Sequence, residues 1–179
     1  VSALFGYGSF DEVSVENSSK ALFYFALGLP AFSLIKVFSS FYFARHNTKL
    51  PFYISLFSVL LNILISIIFF KEVGFIIIPI ATTISSWINS IFLFIFLKKD
   101  NFFNFNSEFI SKFFKILFSS IFMGAFIYYL IIFFKTNLAY EQSFKSIFLI
   151  GIVVVGFISY LLIAFLIKAF KISDINLKY

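Results

Sequence analysis

Five stretches of this chain, residues 21–44, 52–70, 75–97, 113–134 and 147–167, are almost continuously apolar, and polar residues gather between them. A helix needs about 20 apolar residues to cross a bilayer, so each stretch predicts one transmembrane helix. Even the shortest, residues 52–70, rises about 28 Å as a helix, which is one crossing. Asn17, Ser18 and Ser19 are candidate caps for the first helix, Pro51 suits the first turn of the second, and Pro79 lies near the start of the third. Lys71, Glu72 and Gly74 leave room only for a tight hairpin, so the second and third helices are expected to be antiparallel neighbours. Residues 1–19, polar and acidic with Gly6 and Gly8 as turn formers, read as a loop. In the connection 98–112, Phe102, Phe105, Phe109 and Phe113 recur at helical spacing. That spacing fits either an amphipathic lead-in along the interface or a simple aromatic border. The pattern as a whole specifies an all-α, polytopic membrane protein with five transmembrane helices.

The polar residues inside the apolar stretches fall on lines. Ser33, Lys36 and Ser40 stand at i, i+3 and i+7 in the first helix; Ser55, Ser58, Asn62 and Ser66 follow the same rule in the second; Thr82, Ser85, Ser86 and Asn89 share a face of the third. Two arrangements account for such stripes. Either the three helices border a common polar cavity, with Lys36, Ser33, Ser40, Asn62, Ser86 and Asn89 as candidate substrate contacts, or these side chains bond to one another across helix interfaces. The last two helices carry only small residues such as Ser119, Gly124, Gly151, Gly156 and Ser159, suited to close backbone approach, and are expected to pack outside any cavity.

The first helix stands apart from the others. Gly28 and Pro30 near its middle are candidate hinge residues, because proline removes a helical hydrogen bond and crowds the preceding turn. Lys36 follows, and a lysine in hydrocarbon is costly enough that it faces protein, water or a binding path. A cavity position suits an anionic lipid head group such as a pyrophosphate, since the ammonium is a point charge matched to phosphate oxygens. The alternative is that Lys36, about 13 Å by helical rise from Arg45, stretches toward the interface.

Composition and charge narrow the class. The chain is 61% hydrophobic and 12% charged with a mean hydropathy of +1.05, against roughly 25% charged residues in a soluble domain. With no cysteine and the single His46 in a loop, neither thiolate chemistry, a nucleophile–base set nor a metal site is expected, and no cofactor is implied. All carboxylates lie outside the apolar stretches, and no soluble basic face offers itself to nucleic acid. Nine basic residues, Arg45, Lys49, Lys98, Lys99, Lys112, Lys115, Lys168, Lys171 and Lys178, fall on one side of a five-helix arrangement and four, Lys20, Lys71, Lys135 and Lys145, on the other. Cytoplasmic loops are enriched in lysine and arginine. The expected organisation is therefore an external segment 1–19, three helices over 20–97, a cytoplasmic loop 98–112, two further helices over 113–167 and a cytoplasmic tail 168–179.

Residues 4–10, LFGYGSF, and 24–51, YFALGLPAFSLIKVFSSFYFARHNTKLP, resemble the lipid II flippase family of bacterial cell-wall synthesis (MurJ, also called MviN) around its tenth transmembrane helix. This family lies within the superfamily of multidrug and oligosaccharidyl-lipid exporters. The spacing of Gly28, Pro30, Lys36, Tyr42, Ala44, Arg45, Thr48, Lys49 and Pro51 fits its pattern, with Arg45, Thr48, Lys49 and Pro51 forming the cytoplasmic loop motif, while His46, Asn47 and Leu50 depart from it. The resemblance runs along the whole chain, which starts at Val1 without an initiator Met and is expected to be the C-terminal third or so of a two-lobed transporter bundle. It implies a multi-pass protein of the bacterial inner membrane. Its implied partners are lipid II, membrane lipids and the N-terminal half of the same transporter, and its implied action is movement of lipid II between leaflets by alternating access. The last two helices would then shape a groove for the lipid tail. An exporter of another polyprenyl-linked glycan, or a non-transporting membrane remnant or scaffold, are the alternatives.

The charge asymmetry predicts that, with single cysteines at Asn101 and Gln142, a membrane-impermeant maleimide added to intact cells labels Gln142→Cys and spares Asn101→Cys. The reverse pattern would overturn the orientation.

Overall fold

The computed structural model describes residues 1–5, 11–99, 106–139, 142 and 144–169. Every element among them is helical: α1 (Ser2–Phe5), α2 (Glu12–Phe43), α3 (Lys49–Val73), α4 (Ile77–Lys99), α5 (Ser107–Phe133) and α6 (Lys145–Leu166). Among the described residues four helical stretches are long and apolar enough to cross a membrane, and one of them, Lys49–Lys99, runs for 51 residues. That stretch is doubled back on itself. Gly74, at φ 73°, ends α3 in a left-handed conformation that glycine adopts without a Cβ clash, and a 3₁₀ turn, Gly74–Ile76, leads into α4. Bonds from Asn62 to Thr82 and from Asn89 to Ser55 then pair α3 and α4 antiparallel. The five expected apolar helices are thus α2 to α6, and the fold is that of an all-α membrane protein.

Helix ends depart from the apolar stretches wherever polar residues continue or cap a helix. Residues 12–19, expected as loop, form the first turns of α2. They contain no glycine or proline, Glu16 pairs with Lys20 at 2.7 Å, and the Ser19 hydroxyl donates to the Glu16 carbonyl. Similarly, α5 starts at Ser107, where the Asn106 side chain accepts from the Glu108 N–H and Glu108 pairs with Lys112. Phe109 and Phe113 therefore lie on the first turns of a crossing helix. The Gly6 and Gly8 turn, Phe102 and Phe105 of the aromatic lead-in, and tail residues 170–179 lie outside the described residues.

Two helices among the described residues close around a left-handed residue that is not glycine. At the end of α2, the Asn47 N–H bonds the Tyr42 carbonyl and the His46 N–H the Phe43 carbonyl, with His46 at φ 57°. The same pair of bonds, Ala169 to Ala164 and Lys168 to Phe165, closes α6 around Lys168 at φ 53°. This six-to-one and five-to-two pattern usually places glycine at the left-handed residue. The Asn47 carboxamide then accepts from the Leu50 N–H, so one tripeptide ends α2 and starts α3.

The chain forms two compact units, Val13–Asn104 and Val1–Glu12 with Phe105–Tyr179. In the first, Phe38, Tyr42, Ile54, Leu93 and Leu97 form a buried cluster where α2, α3 and α4 meet. In the second, α5 packs against α6 at Gly156, where an added Cβ would stand 2.6 Å from Ile127 Cδ1 and 2.7 Å from its Cγ1. Large apolar side chains cover the rest of both helices and are exposed, as expected of surfaces that face lipid.

Gly156→Val should destabilise the protein by about 1–3 kcal/mol through overpacking against the stiff Ile127. By contrast, Gly124→Ala, with open space around its Cβ, should be neutral or stabilising. His46→Gly should add about 1 kcal/mol by relieving the left-handed backbone. Thermal unfolding in one detergent compares all three.

Candidate functional site

α4 is the hub of the first unit. Its buried residues Ala81, Ser85, Ser86, Asn89, Ser90, Leu93 and Leu97 cover more than one side of the helix, so it meets both α2 and α3. α2 presents to it a seam of Gly28, Ala31, Phe38 and Tyr42, all buried and spaced by three, seven and four residues. Small residues at one end of that seam let the backbones approach. The Thr83 hydroxyl donates to the Tyr24 carbonyl at 2.7 Å, and the Trp87 indole N–H donates to the Leu27 carbonyl at 3.1 Å. A Cβ at Gly28 would lie 3.0 Å from Thr83 Oγ1, so the site takes glycine because α4 is in the way.

The polar stripes of α3 and α4 are directed at each other. Asn62 Nδ2 donates to Thr82 Oγ1 at 3.0 Å, and the Ser66 hydroxyl donates to Asn62 Oδ1 at 3.3 Å. Thr82 donates in turn to the Ile78 carbonyl, and both Ser85 and Ser86 donate to the carbonyl of Thr82. Two turns from the Asn62–Thr82 pair, Asn89 Nδ2 lies 3.4 Å from Ser55 Oγ. Asn62 and Asn89, expected at a cavity or an interface, bond here across the α3–α4 interface, while Ser86 is buried and bonds within α4.

Ser33, Lys36 and Ser40 lie elsewhere. At 100° per residue their face of α2 is turned well away from the seam that meets α4, and all three are exposed. The chain therefore does not bring the α2 stripe together with those of α3 and α4. The reason is steric as well as electrostatic: the α2–α4 contact depends on glycine and alanine at close range, and no carboxylate among the described residues of the spans could neutralise a lysine there. Ser33 and Ser40 satisfy their hydroxyls on the carbonyls of Leu29 and Lys36, which leaves the ammonium of Lys36 as the charged group of the apolar part of α2, residues 21–43. Gly28 is buried in the seam and Pro30 exposed beside it.

Arg45, Thr48 and Lys49 are exposed at the corner between α2 and α3, whereas Pro51 is buried. A cavity of about 590 Å³ opens there, lined by Ser39, Thr48, Lys49, Pro51, Tyr53 and Ser55 among others. A smaller apolar groove of about 280 Å³ lies between α5 and α6, along Leu130, Phe134, Phe148, Gly151 and Val155. Thr83 and Trp87 were not among the expected site residues. The available signal was a hydroxyl and an indole donor four residues apart in an apolar helix, each of which needs an acceptor in hydrocarbon.

The profile of the family described as Lipid II flippase MurJ matches residues 1–150. A probable lipid II flippase MurJ of Thermotoga maritima is 33% identical over 98% of this chain and 33% of its own length. Those of Rickettsia prowazekii and of Buchnera aphidicola subsp. Baizongia pistaciae are 35% identical over 46% of the chain and 28% identical over 83%, covering 16% and 28% of those proteins. The chain thus spans a third or less of the length of these relatives. With its run of apolar helices, its Gly28–Pro30–Lys36 helix and the match over residues 1–150, this multi-pass bacterial membrane protein belongs to the lipid II flippase MurJ family.

Proposed function

We propose that this chain is the C-terminal part of a flippase that carries lipid II, the lipid-linked peptidoglycan precursor, from the cytoplasmic to the external leaflet of the inner membrane. It would serve cell wall biogenesis and so cell shape. The carrying observation is the family match over residues 1–150. In this reading α2, α3 and α4 end the second lobe of the transporter, and α5 and α6 are additional helices. The lobes rock about a central site in alternating access, with no covalent chemistry on the substrate.

Lys36 is the residue of this chain that contacts the head group. Its support is the exposed Ser33–Lys36–Ser40 face of α2, which α3 and α4 leave uncovered, and the absence of an acidic partner among the described residues. Charge-assisted bonds to pyrophosphate oxygens are stronger than neutral ones, and removal of the ammonium leaves those oxygens unpaired. The apolar groove between α5 and α6 offers a surface of the right chemistry for the polyprenyl tail. Basic residues at the α2–α3 corner, at the end of α4 and in the first turns of α5 favour a cytoplasmic placement for those ends and for the C-terminus.

In the complete flippase containing this chain, Lys36→Met should keep normal membrane abundance while transport of lipid II falls by roughly tenfold or more, the loss of one charge-assisted bond. Lys36→Arg should retain part of the activity. Normal transport by Lys36→Met at equal abundance would make Lys36 an interfacial anchor and remove it from the site.

A further inference from the structure

The weak point of α2 and its fastening coincide. Pro30 has no N–H, so the Ala26 carbonyl lacks its helical donor, and the proline ring crowds the turn before it. On that same turn the carbonyls of Tyr24 and Leu27 take side-chain donors from α4, Thr83 at 2.7 Å and Trp87 at 3.1 Å. Both donors stand on one face of α4, four residues apart, and both acceptors lie on the N-terminal side of Pro30. Gly28, next to the Leu27 acceptor, is close enough to Thr83 that no larger residue fits without a shift.

Beyond Pro30 the contact changes character. There α2 meets its neighbours through Phe38 and Tyr42 against Ile54, Leu93 and Leu97, with the rings of Phe38 and Phe94 at 5.8 Å between centroids. Hydrogen bonds hold direction and register, whereas apolar burial is non-directional, so the same side chains can repack in a second arrangement. The helix is hydrogen-bonded to α4 on one side of its proline and packed through apolar side chains on the other. Lys36 lies on the apolar side.

We propose that Thr83 and Trp87 are positioning residues that clamp α2 to α4 on the N-terminal side of Pro30, leaving the half of α2 that carries Lys36 as the moving arm. The proposal rests on the transport reading, in which one element must move against another around the substrate. The clamp gives the hinge its direction: residues 12–29 of α2 travel with α4 as one body, and the bend at Pro30 swings the Lys36 face relative to α4. Sequence alone marks Gly28 and Pro30 as flexible; the two bonds from α4 determine which half is free.

The test uses the complete flippase containing this chain, reconstituted in lipid nanodiscs, with two pairs of spin labels read by electron paramagnetic resonance. Leu22 with Ile84 reports the clamped half and Val37 with Phe92 the arm, all four being exposed. Adding lipid II should shift the Val37–Phe92 distance and leave Leu22–Ile84 narrow and unmoved. In Thr83→Val with Trp87→Phe both donors are lost, the first with its shape kept and the second with an aromatic ring kept, and the released population in Leu22–Ile84 should rise roughly tenfold, as expected for two interhelical hydrogen bonds in a bilayer. Thr83→Ser, which keeps the hydroxyl, should retain the narrow distance and so separates a lost donor from a damaged fold. A wild-type protein in which Leu22–Ile84 moves as much as Val37–Phe92 overturns the clamp, as does a double variant whose Leu22–Ile84 distance stays as narrow as wild type. Arm motion without lipid II transfer in vesicles supports the clamp while overturning the transport reading.

Discussion

Inside hydrocarbon there is no water to bond a peptide N–H or C=O, so every polar group that enters must find its partner within the protein. That constraint accounts for most of what α2 to α6 do. Their backbones are helical throughout the apolar stretches, their serines fold back onto carbonyls one turn earlier, and their Asn, Thr and Trp donors reach neighbouring helices. The turns obey it too. Where α2 and α6 stop, carbonyls of the last turn are closed by backbone N–H groups from beyond the helix end, even though this forces His46 and Lys168 into a left-handed conformation that costs about 1–2 kcal/mol per residue.

α4 satisfies the constraint for both of its neighbours. Toward α3 it offers Thr82 and Asn89, side chains that pair with Asn62 and Ser55 and fix the register of the hairpin. Toward α2 it offers Thr83 and Trp87, whose acceptors are backbone carbonyls beside a proline. The two sets of bonds differ in what they can permit. Side-chain pairs across α3 and α4 hold two regular helices together, while donors to the α2 backbone act where that helix is least able to hold itself.

This division leaves one polar face of the unit uncommitted. With Asn62 and Asn89 bonded between α3 and α4, the face of Ser33, Lys36 and Ser40 on α2 stays exposed. In the proposed reading a cation on such a face is more useful than one locked in an interface, because it can exchange partners between two states.

The apolar stretches determined the class of the fold, the number of long helices and the tight α3–α4 hairpin, since burial in lipid and the loss of solvent for the backbone depend on composition over about 20 residues and hardly on neighbours. Residues 24–51 carried the family resemblance because Gly28, Pro30 and the costly intramembrane Lys36 stand at a fixed spacing in one apolar helix. Helix ends were less legible, because residues 12–19 and 107–112 are polar yet continue helices through ion pairs and a cap that composition does not reveal. Only the tertiary structure decided which polar stripe meets which. A period of three and four residues says that Ser33, Lys36 and Ser40 share a face, and that Thr82 and Asn89 share another, but the azimuth of each helix about its own axis is set by what packs against it. The close fit of Gly28 to Thr83 turned α2 so that Lys36 points away from α4, and that rotation depends on atoms of two helices at once.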